Sequence, residues 1–190
     1  MKTILLVMDM INDLVHPDGP NAKTYVACGL AKGLYENTVT AIAKARAAGA
    51  AVGYVRVGFS QDYRECPPAS PIFSRAREAG LFKLGSWGTE VFSGFAPQAS
   101  DFDIIKHRVS PFYGTNLEPI LRANAFQRLV LCGVSTNGVV QAAVREGHDR
   151  DYACTILEDC CCGATEEEHN FALAGLRRYA EISTSGSVSF

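Results

Sequence analysis

Arg128-Leu129-Val130-Leu131-Cys132-Gly133-Val134-Ser135-Thr136-Asn137-Gly138-Val139-Val140 is the stretch whose reading decides the fold. Residues 129–134 carry no charge and almost no polarity, the pattern of a strand buried on both faces. The period then changes. From Asn137 onward Val140, Ala143 and Val144 share one helical face, and Glu146 and Arg150 stand i,i+4 on the outside. A buried strand that runs straight into an amphipathic helix is half of a strand–helix–strand unit, and such units build parallel sheets.

The same alternation repeats in both directions. Strands are predicted over residues 3–9, 51–57, 102–106, 128–134, 153–157 and 180–184. Between them, Leu34, Thr38, Ile42 and Ala45 form one helical face, with Gly49 as its stop. Leu117, Ile120 and Leu121 form another, capped by Thr115 or Asn116. Thr165-Glu166-Glu167-Glu168 is a capping box ahead of Ala172, Leu173 and Leu176. A loop-rich stretch over residues 58–101 holds a short helix near 74–79. The prediction is a single α/β domain over residues 1–190, a three-layer, doubly wound, Rossmann-like sheet of about six mostly parallel strands.

Bulk properties narrow the function. Of the 190 residues, 47% are hydrophobic and 20% charged, as in water-soluble globular chains. A formal charge of -2 gives no reason to expect nucleic acid or an anionic membrane as a partner. The apolar run from Ile4 to Met8 is too short for a signal peptide, and no segment approaches the roughly 20 apolar residues of a membrane span, so a cytoplasmic protein is expected. The seven cysteines include three in a row, Cys160 to Cys162, with no Cys-x-x-Cys pair, and read as reduced, mostly buried thiols.

In an open α/β sheet, ligands bind beyond the carboxyl ends of the strands, so strand-end polar residues are the site candidates. Asp9 directly follows the first apolar run; it reads equally as a general acid/base or as a cap of the next turn. Burial would raise its pKa and a nearby cation would lower it. Lys106 follows Ile104-Ile105 and can reach the same mouth, whereas His107 alternates to the other face. The turn Val134, Ser135, Thr136, Asn137, Gly138 offers backbone N–H groups at a helix start, suited to an oxyanion or a substrate carboxylate. Val139, one residue on, has no atom that can act as a nucleophile. Ile11, Arg56, Phe59, Phe112 and Tyr113 are the predicted pocket walls, since each lies at or just beyond a strand end.

Three segments together resemble the isochorismatase-like (cysteine) hydrolases. They are Leu5-Leu6-Val7-Met8-Asp9-Met10-Ile11-Asn12-Asp13, Ile104-Ile105-Lys106-His107-Arg108 and Gly133-Val134-Ser135-Thr136-Asn137. The resemblance covers nearly the whole chain and implies an acid–base pair in Asp9 and Lys106. It also implies a cis peptide at Val134-Ser135, a small-molecule substrate and a homodimer or larger homo-oligomer. Three departures matter: the family's nucleophilic cysteine is Val139, a glutamine near the aspartate is Ile11, and the metal ligands of nicotinamidases have no match in Arg56-Val57-Gly58-Phe59-Ser60. No zinc or other cofactor is therefore expected. Cys161 matches a structural cysteine of the family, and Cys132 is inert packing.

Two readings stay open at this stage. In one, Asp9 and Lys106 hydrolyse a small molecule by non-covalent acid–base chemistry, as isochorismatases do without a cysteine. In the other, the chain is catalytically silent and binds a small molecule or serves as a structural oligomer. A nucleotide-binding reading falls behind both, because no Gly-x-Gly-x-x-Gly or Walker sequence is present.

Overall fold

A computed structural model describes residues 1–190. Six strands, β1 (Thr3–Met8), β2 (Ala51–Val57), β3 (Phe102–Lys106), β4 (Arg128–Val134), β5 (Ala153–Cys162) and β6 (Glu181–Ser183), form one sheet in the order β3-β2-β1-β4-β5-β6. Every neighbouring pair is parallel. The helices are α1 (Asn12–Val15), α2 (Ala27–Lys32), α3 (Leu34–Ala47), α4 (Ala76–Ala79), α5 (Leu117–Ala123), α6 (Gln141–His148) and α7 (Glu166–Leu176). None of them is long and apolar enough to cross a membrane.

The strands are apolar on both faces because helices cover both. Ile4 to Met8 are all buried, as are Leu129 to Val134 on the neighbouring strand. Chain order fixes where a ligand sits. From β1 the chain winds out through β2 and β3, then returns to the other side of β1 for β4, β5 and β6. The winding direction reverses between β1 and β4, so the crevice at their carboxyl ends is the switch point where doubly wound sheets bind ligands.

Three segments differ from the sequence reading. The fifth strand continues to Cys162 instead of ending at Leu157, so Cys160 to Cys162 lie in the strand. Their thiols behave as small apolar groups, all three buried. The polar interruption at Asp159 is tolerated because its carboxylate accepts from the Ser185 N–H at 2.8 Å and from the Ser185 hydroxyl at 2.6 Å. The regular helix after β4 starts at Gln141, not Asn137; a wide turn, Thr136–Val140, intervenes, with Gly138 outside helical geometry at φ -110°, ψ -105°. The chain between β1 and α3, unassigned from sequence, holds α1, a wide helical turn at Ala22–Val26, and α2.

Gly133 shows how tightly β1 and β4 meet. Its φ is +143°, and a Cβ there would lie 2.1 Å from the Met8 carbonyl oxygen. Gly133→Ala is expected to cost about 2 kcal/mol or more in a denaturant titration. Gly49→Ala, at φ +70° with open space around it, is expected to cost less. Equal losses at the two positions would contradict this packing account.

Candidate active site

The carboxyl ends of β1 and β3 bring two opposite charges together. Asp9 follows β1 with φ +56°, turning the chain out of the sheet. Val57 pairs with Lys106 across β2 and β3, so the lysine side chain reaches over β2 toward β1. Lys106 Nζ lies 2.8 Å from Asp9 Oδ2, both side chains being buried. The Val57 N–H donates to Asp9 Oδ1 at 2.8 Å, and Lys106 Nζ also donates to the Arg108 carbonyl at 3.0 Å. Burial pushes the Asp9 carboxyl above its ordinary pKa, and outweighs the opposing pull of Lys106 and of the Val57 N–H. The two competing effects foreseen from sequence are thus both present, and desolvation wins.

This pair faces a cavity of about 380 Å³. Val134, Ser135, Gly138 and Val139 complete its floor. The Val134-Ser135 peptide is cis. Leu14, Asn21 and Tyr25 form one side, from the segment the sequence reading left unassigned. Burial raises the Tyr25 phenol, against the influence of the neighbouring Ser135 hydroxyl. The roof comes from residues around α4: Ile72, Phe73, Arg75, Ala76 and Phe82.

The roof is tied to the floor by two residues of the first motif. The Phe82 N–H donates to Asp13 Oδ2 at 2.7 Å, and Asn12 Nδ2 donates to the Trp87 carbonyl at 2.9 Å. Asp13 is itself buried, which raises its pKa against the opposing Phe82 bond. Gly88 must be a glycine here, since a Cβ would sit 2.2 Å from Asp13 Oδ1. The long stretch between β2 and β3 therefore covers the site.

The five turn residues split into two groups. Val134, Ser135 and Gly138 line the cavity. Thr136 and Asn137 instead bind α7: the buried Thr136 hydroxyl pairs with His169 Nδ1 at 2.7 Å, and Asn137 Nδ2 donates to Glu168 Oε2 at 3.2 Å. The N–H groups of Gly138 and Val140 are already committed to the Ser135 carbonyl, at 3.1 and 3.3 Å. The Gly138 N–H is therefore spent inside the turn, not aimed at a substrate.

The predicted walls need correction. None of Ile11, Arg56, Phe59, Phe112 and Tyr113 lines the cavity. Ile11 and Phe59 are fully buried one layer back, supporting Val57, Phe73 and Phe82. Arg56 is held by Asp103, with Nε 2.7 Å from Oδ1, and donates to the Thr89 carbonyl at 2.8 Å. Phe112 stacks near Tyr152 under the Arg150 guanidinium, and Tyr113 is 67% exposed. Being next to a strand end says nothing about which way a loop then turns: Phe112 turns toward α6, and Tyr113 lies at the surface beside residues 64–68. The cavity lining includes one carboxylate and neither imidazole nor thiol, a donor set that does not fit a zinc ion.

A family model, the isochorismatase domain, matches residues 3–187. The chain belongs to the isochorismatase family. Among its relatives, ureidoacrylate amidohydrolase RutB of Azorhizobium caulinodans is 30% identical over 170 residues, spanning 83% of this chain and 75% of that protein. The crystal structure of N-carbamoylsarcosine amidase from Thermoplasma acidophilum superposes with a TM-score of 0.78 at 26% identity, each chain covered in full. An isochorismatase family protein from Desulfovibrio vulgaris shares the fold at a TM-score of 0.86 and 22% identity, over 98% of this chain and 95% of that one. These matches place the chain in a hydrolase family.

The contact between the turn and α7 carries a pH dependence. Burial lowers His169 from 6.5 to about 4, with Lys32 adding to the shift and Glu166 opposing it. Between those values the unfolded chain takes up a proton that the folded one does not. Stability from this group is therefore present above 6.5 and falls as pH drops toward about 4. His169→Asn retains a hydrogen-bonding partner for Thr136 but cannot titrate. Melting temperatures measured across this range are expected to slope less in the variant than in the wild type; identical slopes would contradict the assignment.

Proposed function

We propose that this protein hydrolyses a small molecule by non-covalent acid–base chemistry centred on Asp9 and Lys106. The observation that carries the reading is the buried ion pair opening onto the cavity floor, beside a side chain at Val139 that has no attacking atom. Water is then the nucleophile. In its protonated form Asp9 gives a proton to the substrate, water adds to the carbon so activated and returns a proton to the Asp9 carboxylate, and the adduct collapses with its hydroxyl proton passing to the leaving group. Lys106 positions the carboxyl and stabilises the carboxylate left behind. Burial favours the protonated form of Asp9 and so suits it to act as the acid. Ser135 and Tyr25 supply polar contacts for orienting the substrate. A homo-oligomer belongs to the same reading on the family resemblance alone, and a cytoplasmic setting on the sequence pattern.

Isochorismate, with pyruvate release as the readout, and ureidoacrylate, the compound named for the 30% identical relative, are the first substrates to assay. Asp9→Asn is expected to lower kcat by about 10²–10⁴-fold on whichever is turned over. Because the acid form is the working one, wild-type activity is expected to fall as pH rises through the raised Asp9 pKa. Turnover undiminished in Asp9→Asn would refute the role. A specific observation favours the second reading: Val139 occupies the cavity floor where the resemblance implies a cysteine. A wild type inert toward both compounds supports a silent, ligand-binding member.

A further inference from the structure

The cavity has an electrostatic imbalance. Four titratable side chains line it: Asp9, Lys106, Tyr25 and Arg75. Lys106 Nζ is committed to Asp9 at 2.8 Å and to the Arg108 carbonyl at 3.0 Å, and burial keeps the Tyr25 phenol neutral. That leaves the Arg75 guanidinium as an uncompensated positive charge at the rim.

Arg75 differs from the cations around it. Arg64 pairs with Asp62 at 2.6 Å, and Arg77 donates to the Asp62 carbonyl at 2.6 Å. Arg108 donates to the Glu65 and His107 carbonyls, at 2.8 and 2.6 Å. Lys83 lies over the Tyr63 ring at 5.6 Å. Arg56 is taken by Asp103. Glu168, whose charge reaches Tyr25, is outside the lining and accepts from Asn137. Arg75, at the N-cap of α4, lines the cavity and has no ion pair and no side-chain hydrogen bond; Lys83, the other of these cations without either, lies over the Tyr63 ring and outside the lining.

We infer that Arg75 selects a substrate bearing a single carboxylate on an apolar body the size of a small ring. The inference rests on the cavity being the substrate site of the proposed function, and adds the substrate's chemical class. Between the buried floor and the exposed rim the walls are mainly apolar: Leu14, Val57, Ile72, Phe73, Phe82 and Val109. A largely apolar body fits them, with the scissile group at the Asp9–Lys106 floor, and a volume of about 380 Å³ lies at the small end of ligand pockets. The charge is that of a monoanion. One guanidinium offers the two-pronged donor geometry that matches a carboxylate. A phosphate dianion would need more donors than the rim supplies.

Binding of benzoate and of benzamide, near-isosteres that differ by the charge, tests this directly by titration calorimetry or ligand-observed NMR. The wild type is expected to prefer benzoate. Arg75→Gln is expected to weaken benzoate about tenfold while leaving benzamide unchanged, and Arg75→Lys to recover part of the loss. As Arg75 is exposed, these variants should fold, and a melting curve checks that they do. Benzoate affinity equal in wild type and Arg75→Gln, a preference for benzamide, or no benzoate binding by the wild type overturns the inference. No turnover is measured, so a failed Asp9 assay leaves this result standing, and a failed binding preference leaves the acid–base reading standing.

Discussion

The Asp9 carboxyl and the Lys106 ammonium lie 2.8 Å apart where neither has appreciable contact with water. Such a pair is costly to bury. Desolvation of each ion is repaid only when geometry is good and the remaining polar atoms are bonded, and losing one partner typically costs about 3–5 kcal/mol. Here the repayment comes from the sheet. The Val57 N–H fills the second Asp9 oxygen, and the Arg108 carbonyl takes a further Lys106 proton. Three parallel strands must be in register for these contacts to coincide, with Met8 opposite Val55 and Val57 opposite Lys106. The charge pair therefore depends on the sheet order, and the site chemistry depends on the charge pair.

The rest of the cavity is organised around that point. The same first motif that supplies Asp9 supplies Asn12 and Asp13, which anchor the roof through Trp87 and Phe82. On the other side of β1, Gly133 allows β4 to come close enough for Val134 and Ser135 to enter the floor. Thr136 and Asn137 fasten the following turn to α7. Val139 fits this frame as an apolar floor residue, 2% exposed. A covalent step at that position has no atom to proceed through; in the proposed function the floor supplies the Asp9 carboxyl and its Lys106 partner beside the cavity.

Much of this was legible in the sequence, for identifiable reasons. Strands of a parallel sheet are apolar on both faces, so their runs stand out, and a charged residue directly after such a run marks the ligand-binding edge. Asp9 was picked out that way as either an acid or a cap, and Lys106, which alone reads as an exposed basic cluster, only in company with the family resemblance. The roof was not, because Phe73, Arg75 and Phe82 sit in a stretch with almost no periodic structure, placed by the tertiary bonds from Asp13 and Asn12. Tyr25 was missed because the wide turn that carries it has no clear helical period. Phe112 and Tyr113 were misplaced because proximity to a strand end does not fix a loop's direction. The fifth strand was cut short because Glu158 and Asp159 read as a loop, and only the bonds from Ser185 show why Asp159 is tolerated.

Whether Asp9 is held ready as an acid is the central point, and its own titration decides it. Infrared difference spectra of wild type against Asp9→Asn, recorded across pH, isolate the carboxyl band of this one residue. The account predicts that the protonated band persists above the ordinary value of 3.8 and is lost only at higher pH. A band lost at or below 3.8 would mean that Lys106 outweighs desolvation and that Asp9 is a fixed structural counter-ion.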